Sequence, residues 1–143
     1  MVAGGTGIAP MLQVLDEILE NPNDKTKVSL VFANVSVDDI LLKDFIDARE
    51  KLHPDRLTTY YVVDKAPTHG TIWKGGVGYI TPRMLTGRLP PPSDESMVYV
   101  CGPPPMYKAV CGSKGTPEDP KAQGEVGGIL KSLGYTSASV FKF

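Results

Sequence analysis

The sequence is poor in the residues that build metal centres and disulfide frameworks. Its 143 residues include two cysteines, two histidines and one tryptophan. Cys101 and Cys111 are too few for a disulfide scaffold, and neither His53 nor His69 stands at a metal-ligand spacing. We therefore predict no metal site, and we expect a reducing, cytosol-facing compartment.

The chain also lacks a charge excess and a long apolar run. Its 15 basic and 16 acidic residues give a formal net charge of -1, so composition gives no reason to expect a nucleic acid partner. No apolar stretch approaches the roughly 20 residues of a membrane-spanning helix, and we expect no membrane contact by this chain itself. The length suits one domain, residues 1–143. A glycine-rich turn arrives before a full first strand, which favours a fragment of a longer protein.

Glycine and proline, in contrast, are abundant, and they concentrate in two turns. The first turn has the sequence GGTGIAP (residues 4–10) and lies between a short apolar segment and an amphipathic pattern. Such a strand–turn–helix unit offers backbone N–H groups to a phosphate. The second, VYVCGPPPM (residues 98–106), is another strand that ends in a Gly/Pro turn. Two such turns at the carboxyl ends of parallel strands would flank one crevice, so we predict a nucleotide site.

Hydrophobic periodicity predicts an α/β fold, with a five-stranded, mainly parallel sheet flanked by helices. Beyond the short first strand, the predicted strands are residues 28–34, 57–63, 97–100 and 140–143, the last at an edge. The predicted helices are residues 11–19, a segment that opens at Asp38 and Asp39, and residues 81–85, 106–110 and 126–133. Residues 112–124 are polar and Gly/Pro-rich, which predicts a mobile loop.

The glycine turn is weak evidence when it is taken alone. Its pattern is G-x-G-x-x-P rather than G-x-G-x-x-G, and a merely structural strand–helix connection explains it equally well. The common dinucleotide-binding fold also places an acidic ribose partner at the end of the second strand, where this chain has Asn34. The residues therefore favour a related variant of that fold.

Five segments together resemble NADH–cytochrome b5 reductases, within the ferredoxin–NADP reductase superfamily. They are GGTGIAPM (4–11), DILL (39–42), DKAP (64–67), CGPPPM (101–106) and VFKF (140–143). The resemblance runs in order over the whole chain and covers the family's C-terminal, ferredoxin-reductase-like nucleotide-binding domain. The FAD-binding β-barrel domain that precedes it in the family is absent from this chain. Two alternatives remain: the NAD(P)H domain of a nitrate reductase or another flavin-dependent reductase, and a noncatalytic module that retains the fold.

The resemblance implies that NADH gives a hydride to FAD, which passes electrons to cytochrome b5. The absent domain would hold most of the FAD. This chain alone should therefore bind nucleotide without transferring electrons, because the acceptor ring is missing. The implied partners are the FAD-binding domain of the same parent and cytochrome b5. The implied location is cytoplasmic, with the parent anchored to the cytosolic face of the endoplasmic reticulum or outer mitochondrial membrane.

The resemblance also implies roles for individual residues. Thr6 faces the flavin, Cys101 lies beside the nicotinamide carbon that gives up hydride, and Tyr79 lies near the adenine end. The predicted catalytic residues are accordingly Cys101 and Thr6. The predicted cofactor-binding residues are Gly4, Gly5, Thr6, Gly7, Asp64, Tyr79, Cys101, Gly102, Pro103 and Met106.

Residue chemistry supports two of these roles and leaves an alternative for each. Hydride transfer needs no covalent intermediate, and a polarisable thiol at Cys101 can hold the nicotinamide ring. The alternative is a small buried apolar residue that follows a strand, and we expect Cys111 to be inert. Asp64 can accept hydrogen bonds from a ribose diol and would repel the 2′-phosphate of NADPH, which predicts a preference for NADH. The alternative is a solvated turn aspartate.

Overall fold

A computed structural model describes residues 1–67 and 72–143, so His69 lies outside the described residues. Within that part, six strands form one sheet in which every strand pair is parallel. They are β1 (Val2–Gly4), β2 (Val28–Asn34), β3 (Leu57–Val63), β4 (Gly76–Val77), β5 (Val98–Cys101) and β6 (Val140–Lys142). Their order across the sheet is β4-β3-β2-β1-β5-β6. The α/β class is confirmed, but the predicted count of five strands is wrong, because β4 has only two residues and no apolar run.

Helices connect these strands at the places that periodicity predicts, although several of their boundaries are displaced. They are α1 (Ile8–Glu20), α2 (Lys43–Leu52), α3 (Pro82–Leu85), α4 (Pro104–Val110) and α5 (Gly128–Ser132). The helix predicted to open at Asp38 and Asp39 begins later, because Leu42 has a left-handed φ of 55° that no helix interior accepts. Helix α5 begins two residues later than predicted, since Gly128 has a φ of 55° and packs its Cα against the Ala109 carbonyl.

Hydrophobic side chains cover both faces of the sheet. On one face, α1 buries Met11 and Leu15 against Phe32 of β2. On the other, Val31 of β2 packs with Val100 of β5 and their neighbours. Strand β2 is therefore covered on both sides, which is why it reads as a nearly continuous apolar run.

The polar segment at residues 112–124 is fastened to the β6 edge of the sheet. The Gln123 side-chain oxygen accepts a hydrogen bond from the Lys142 N–H at 2.6 Å, and its amide nitrogen donates to the Lys142 carbonyl at 3.0 Å. The side chain thus pairs with the β6 backbone as a neighbouring strand would. The buried Lys142 ammonium donates to the carbonyls of Ser113 and Glu125 at 2.9 and 2.8 Å. These bonds satisfy an edge that would otherwise be open to pairing.

Candidate nucleotide-binding site

The carboxyl ends of β1 and β5 open onto a cleft of about 920 Å³. Strand β1 lies between β2 and β5, so the order of strands reverses at this point. Open α/β sheets bind ligands in the crevice at such a reversal. All ten residues predicted to bind the cofactor line this cleft, namely Gly4, Gly5, Thr6, Gly7, Asp64, Tyr79, Cys101, Gly102, Pro103 and Met106. Their contact with a nucleotide stays a prediction.

One wall of the cleft is a single 3-10 turn, Gly5–Gly7, that leads from β1 into α1. Gly5 has a φ of 52°, and apart from Gly5 and its two chain neighbours no atom of the described residues lies within 4 Å of the place where its Cβ would stand. Among the described residues no side chain caps this turn or the start of α1, and the Ile8 N–H already donates to the carbonyls of Gly5 and Thr6, so the N–H groups without an intrahelical partner are those of the Gly5–Gly7 turn itself. Among residues 1–67 and 72–143, no lysine or arginine lines the cleft, so an anion there would be bound mainly through backbone N–H groups.

The opposite wall is the turn that follows β5, and it touches the first turn directly. A Cβ on Gly7 would stand 2.2 Å from the Cys101 carbonyl oxygen. Cβ atoms on Gly4 and Gly102 would stand 2.6 and 2.5 Å from the Met106 side chain. The absence of side chains at these glycines lets the two turns approach closely, which explains the spacing of glycine in both motifs.

Asp64 and Tyr79 are brought together at the far end of the cleft by β3 and β4. The Asp64 N–H donates to the Asn34 carbonyl at 3.1 Å, and the Gly78 N–H donates to the Val63 carbonyl at 2.9 Å. Both the Asp64 carboxylate and the Tyr79 ring are exposed, and Tyr79 is 84% exposed. They are free to contact a ligand along the rim.

Sequence reasoning missed nine other lining residues. Most are apolar neighbours of predicted ones, and two carry polar side chains. Sequence reasoning gave neither of these two a binding role. Asn34 stands where the common dinucleotide-binding fold has an acidic residue, and Asp39 belongs to the DILL segment (39–42) of the resemblance. The nine are Ala33, Asn34, Val35, Asp39, Gly78, Ile80, Pro105, Ala109 and Val110.

The two cysteines occupy different environments. Cys101 is partly exposed and lines the cleft, whereas Cys111 is buried. Burial raises the pKa of Cys111 to about 11. Beside Cys101, the Tyr107 hydroxyl donates to the carbonyls of Val100 and Phe143 at 3.2 and 2.6 Å. Burial and the neighbouring Cys101 raise the pKa of Tyr107, which keeps it a neutral donor.

This difference predicts selective alkylation. We expect iodoacetamide at pH 8 to modify Cys101 and to spare Cys111, because only about 0.1% of a thiol with a pKa near 11 is thiolate at that pH. Peptide mass mapping would locate the adduct. Cys101→Ser should abolish it and Cys111→Ser should leave it unchanged, whereas equal modification of both thiols would contradict the prediction.

The residues of the cleft fit a dinucleotide. The volume of the cleft lies within the range of roughly 300–1,000 Å³ that is usual for small-molecule and cofactor sites. The empty space at Gly5 can receive a diphosphate, and the buried Asn34 Nδ2 has no hydrogen-bond partner among the described residues. The described part of the chain contains no cluster of three or more potential metal ligands. Nor does any helix of that part have the length and apolar character needed to cross a bilayer.

The fold and its cleft at the strand reversal are typical of a nucleotide-binding α/β domain, and comparison with known families assigns the domain to oxidoreductases. The profile of the oxidoreductase NAD-binding domain matches residues 1–112, and the chain belongs to that family. Within it, the chain is similar to NADH-cytochrome b5 reductases, as the sequence motifs predict. It is 52% identical to NADH-cytochrome b5 reductase 2 of Emericella nidulans over 144 aligned residues, which cover all of this chain and 43% of the relative.

Two further relatives support the assignment. The chain is 53% identical to an NADH-cytochrome b5 reductase-like protein of Arabidopsis thaliana, covering 100% of the chain and 42% of that protein. The cytochrome b5 reductase domain of Ulva prolifera nitrate reductase is 33% identical, with a TM-score of 0.80 over all of this chain and 47% of that structure. The chain thus spans less than half the length of the relatives that it matches.

Proposed function

We propose that residues 1–143 are the NADH-binding domain of a flavoprotein reductase that passes a hydride from NADH to FAD and then electrons to cytochrome b5. The observation that carries the proposal is the close contact of the Gly5–Gly7 and Cys101–Pro103 turns across the strand reversal. Identity of about 50% to NADH-cytochrome b5 reductases along the whole chain supports it. The partners are an FAD-binding β-barrel domain of the same parent and cytochrome b5. The parent works at the cytosolic face of the endoplasmic reticulum or outer mitochondrial membrane.

The chain's own residues bind and orient the nucleotide. Backbone N–H groups of the Gly5–Gly7 turn bind the diphosphate. Thr6 and Cys101 lie on the two walls, where they hold the nicotinamide ring toward the flavin domain. NADH, when bound, supplies the hydride. Because hydride transfer does not require the protein to remove a proton from a substrate carbon, binding and orientation of the nucleotide are what this chemistry needs from the chain.

The alternative parentage in a nitrate reductase rests on the Ulva prolifera domain, whose identity of 33% is lower than that of the cytochrome b5 reductases. The nucleotide site would be the same in either parent. A noncatalytic module, in contrast, would bind no nucleotide.

Asp64 sets the choice between NADH and NADPH in this proposal. We expect calorimetric titration to give tighter binding of NADH, by roughly 10- to 100-fold, because the exposed Asp64 carboxylate repels the 2′-phosphate of NADPH. Asp64→Ser should reduce this preference to within about threefold, mainly by strengthening the binding of NADPH.

Asp55→Ser provides the matched control, since Asp55 is also exposed and does not line the cleft. It should preserve the preference for NADH. Equal binding of both nucleotides by the unmodified chain would remove Asp64 from the mechanism, and failure to bind either would overturn the proposed function.

A further inference from the structure

Asn34 has an unpaired amide group at the base of the cleft. It is the last residue of β2, it lines the cleft, and it is 8% exposed. Its Nδ2 atom is buried and has no hydrogen-bond partner within residues 1–67 and 72–143. A buried donor without an acceptor destabilises the folded state, so packing alone does not explain an asparagine here.

The position of Asn34 lies between two predicted parts of the site. Strand register places its neighbour Ala33 opposite Gly4 of β1 and Asn34 itself opposite Val63 of β3. Strand β2 also contacts the Gly5–Gly7 turn. The carboxamide therefore lies between the turn proposed to bind the diphosphate and the Asp64 carboxylate proposed to bind the ribose.

The side-chain chemistry suits that location. An aspartate here would have nearly the same shape but would repel a diphosphate, whereas an amide N–H₂ can donate to it. The described lining of the cleft includes no lysine or arginine, so a neutral donor adds to what backbone N–H groups supply. The terminal torsion of Asn34 is soft, and no acceptor in residues 1–67 and 72–143 holds Nδ2, so the N–H₂ group can orient to a ligand oxygen.

We propose that the Asn34 amide donates a hydrogen bond to an oxygen of the diphosphate–ribose segment of the bound dinucleotide. The inference rests on the proposed function, and it adds a binding residue to it. In this proposal the unpaired amide lowers the stability of the ligand-free domain, and the bound dinucleotide removes that penalty by supplying an acceptor. Asn34 thus binds the middle of the dinucleotide. The choice between NADH and NADPH is made at Asp64, which follows the neighbouring strand β3.

The experiment combines calorimetric titration with NADH and ADP-ribose and thermal unfolding of the ligand-free chain. Asn34→Leu keeps the approximate shape and removes both polar atoms. We expect it to weaken the binding of both ligands by about 10- to 100-fold, while the ligand-free melting temperature stays equal or rises. Asn34→Asp should weaken binding further at low salt, and the loss should shrink as salt is raised. The control, Asn23→Leu, changes an exposed residue outside the cleft and should alter neither affinity.

Each other outcome overturns the inference. Unchanged affinity in Asn34→Leu would remove the amide from the site, and a lower melting temperature with unchanged affinity would make its role structural. If Asn34→Leu does not fold, Asn34→Asp decides, because equal or tighter binding would mean that position 34 accepts from a ribose hydroxyl. Failure of the unmodified chain to bind NADH would overturn the proposed function together with the inference. If the unmodified chain binds NADH and Asn34→Leu binds it equally well, only the inference fails.

Discussion

Gly7→Ala should abolish measurable NADH binding and lower the free energy of unfolding by about 1–3 kcal/mol or more. Gly7 has φ −62° and ψ −5°, a conformation that alanine adopts easily, so its backbone is not strained by the change. The added Cβ would stand 2.2 Å from the Cys101 carbonyl oxygen and 2.5 Å from its carbon. Because both atoms belong to the backbone, relief requires the two turns to move apart. Calorimetry with NADH and a urea melt would measure the two effects.

Gly87→Ala is the matched control for this prediction. Gly87 has a φ of 79°, and it does not line the cleft. Apart from its chain neighbours, nothing in the part of the chain that the structure describes lies within 4 Å of its Cβ position. The alanine there should cost about 1–2 kcal/mol of backbone strain and leave NADH affinity unchanged. If Gly7→Ala bound NADH as tightly as the unmodified chain, close contact of the turns would not be needed for the site.

The sequence predicted the composition of the cleft well for a physical reason. Parallel strands place all of their carboxyl ends at one edge, so turns recognised separately, such as those at Gly5 and Cys101, must meet there. The close approach of the two turns at Gly4, Gly7 and Gly102 was not predicted, because it depends on distances between segments far apart in sequence. Asn34 received no role because an unpaired amide is a property of its three-dimensional surroundings.

The boundaries that the sequence missed depend on contacts that leave no hydrophobic period in the sequence. Strand β4 exists because Gly75 packs against the Tyr61 carbonyl and the Trp73 indole donates to the Gly76 carbonyl at 2.9 Å. Neither contact produces a periodic pattern. The late start of α2 has a similar cause, since Ile40 is buried although it lies outside the helix, which draws the preceding segment into a turn.

Phe32→Ala should have the largest effect on stability. Phe32 is fully buried in the middle of β2, and its ring lies 6.4 Å from that of Tyr61. Removal of a buried phenylalanine ring costs about 3–5 kcal/mol, because contacts are lost and a cavity remains. A domain of this size has roughly 5–15 kcal/mol of stability in total, so the melting temperature should fall by about 10–20 °C.

Phe32→Ala should also disturb the nucleotide-binding cleft, because Phe32 lies two residues before Asn34 on the same face of β2. We therefore expect weaker NADH binding by the folded fraction at low temperature, measured by calorimetry, in addition to the lower melting temperature. Phe45→Ala is the matched control: Phe45 is 40% exposed and packs under Arg49 on α2, so its loss should cost about 1 kcal/mol or less. A cost for Phe32→Ala no larger than that for Phe45→Ala would contradict the assignment of Phe32 to the core that supports the cleft.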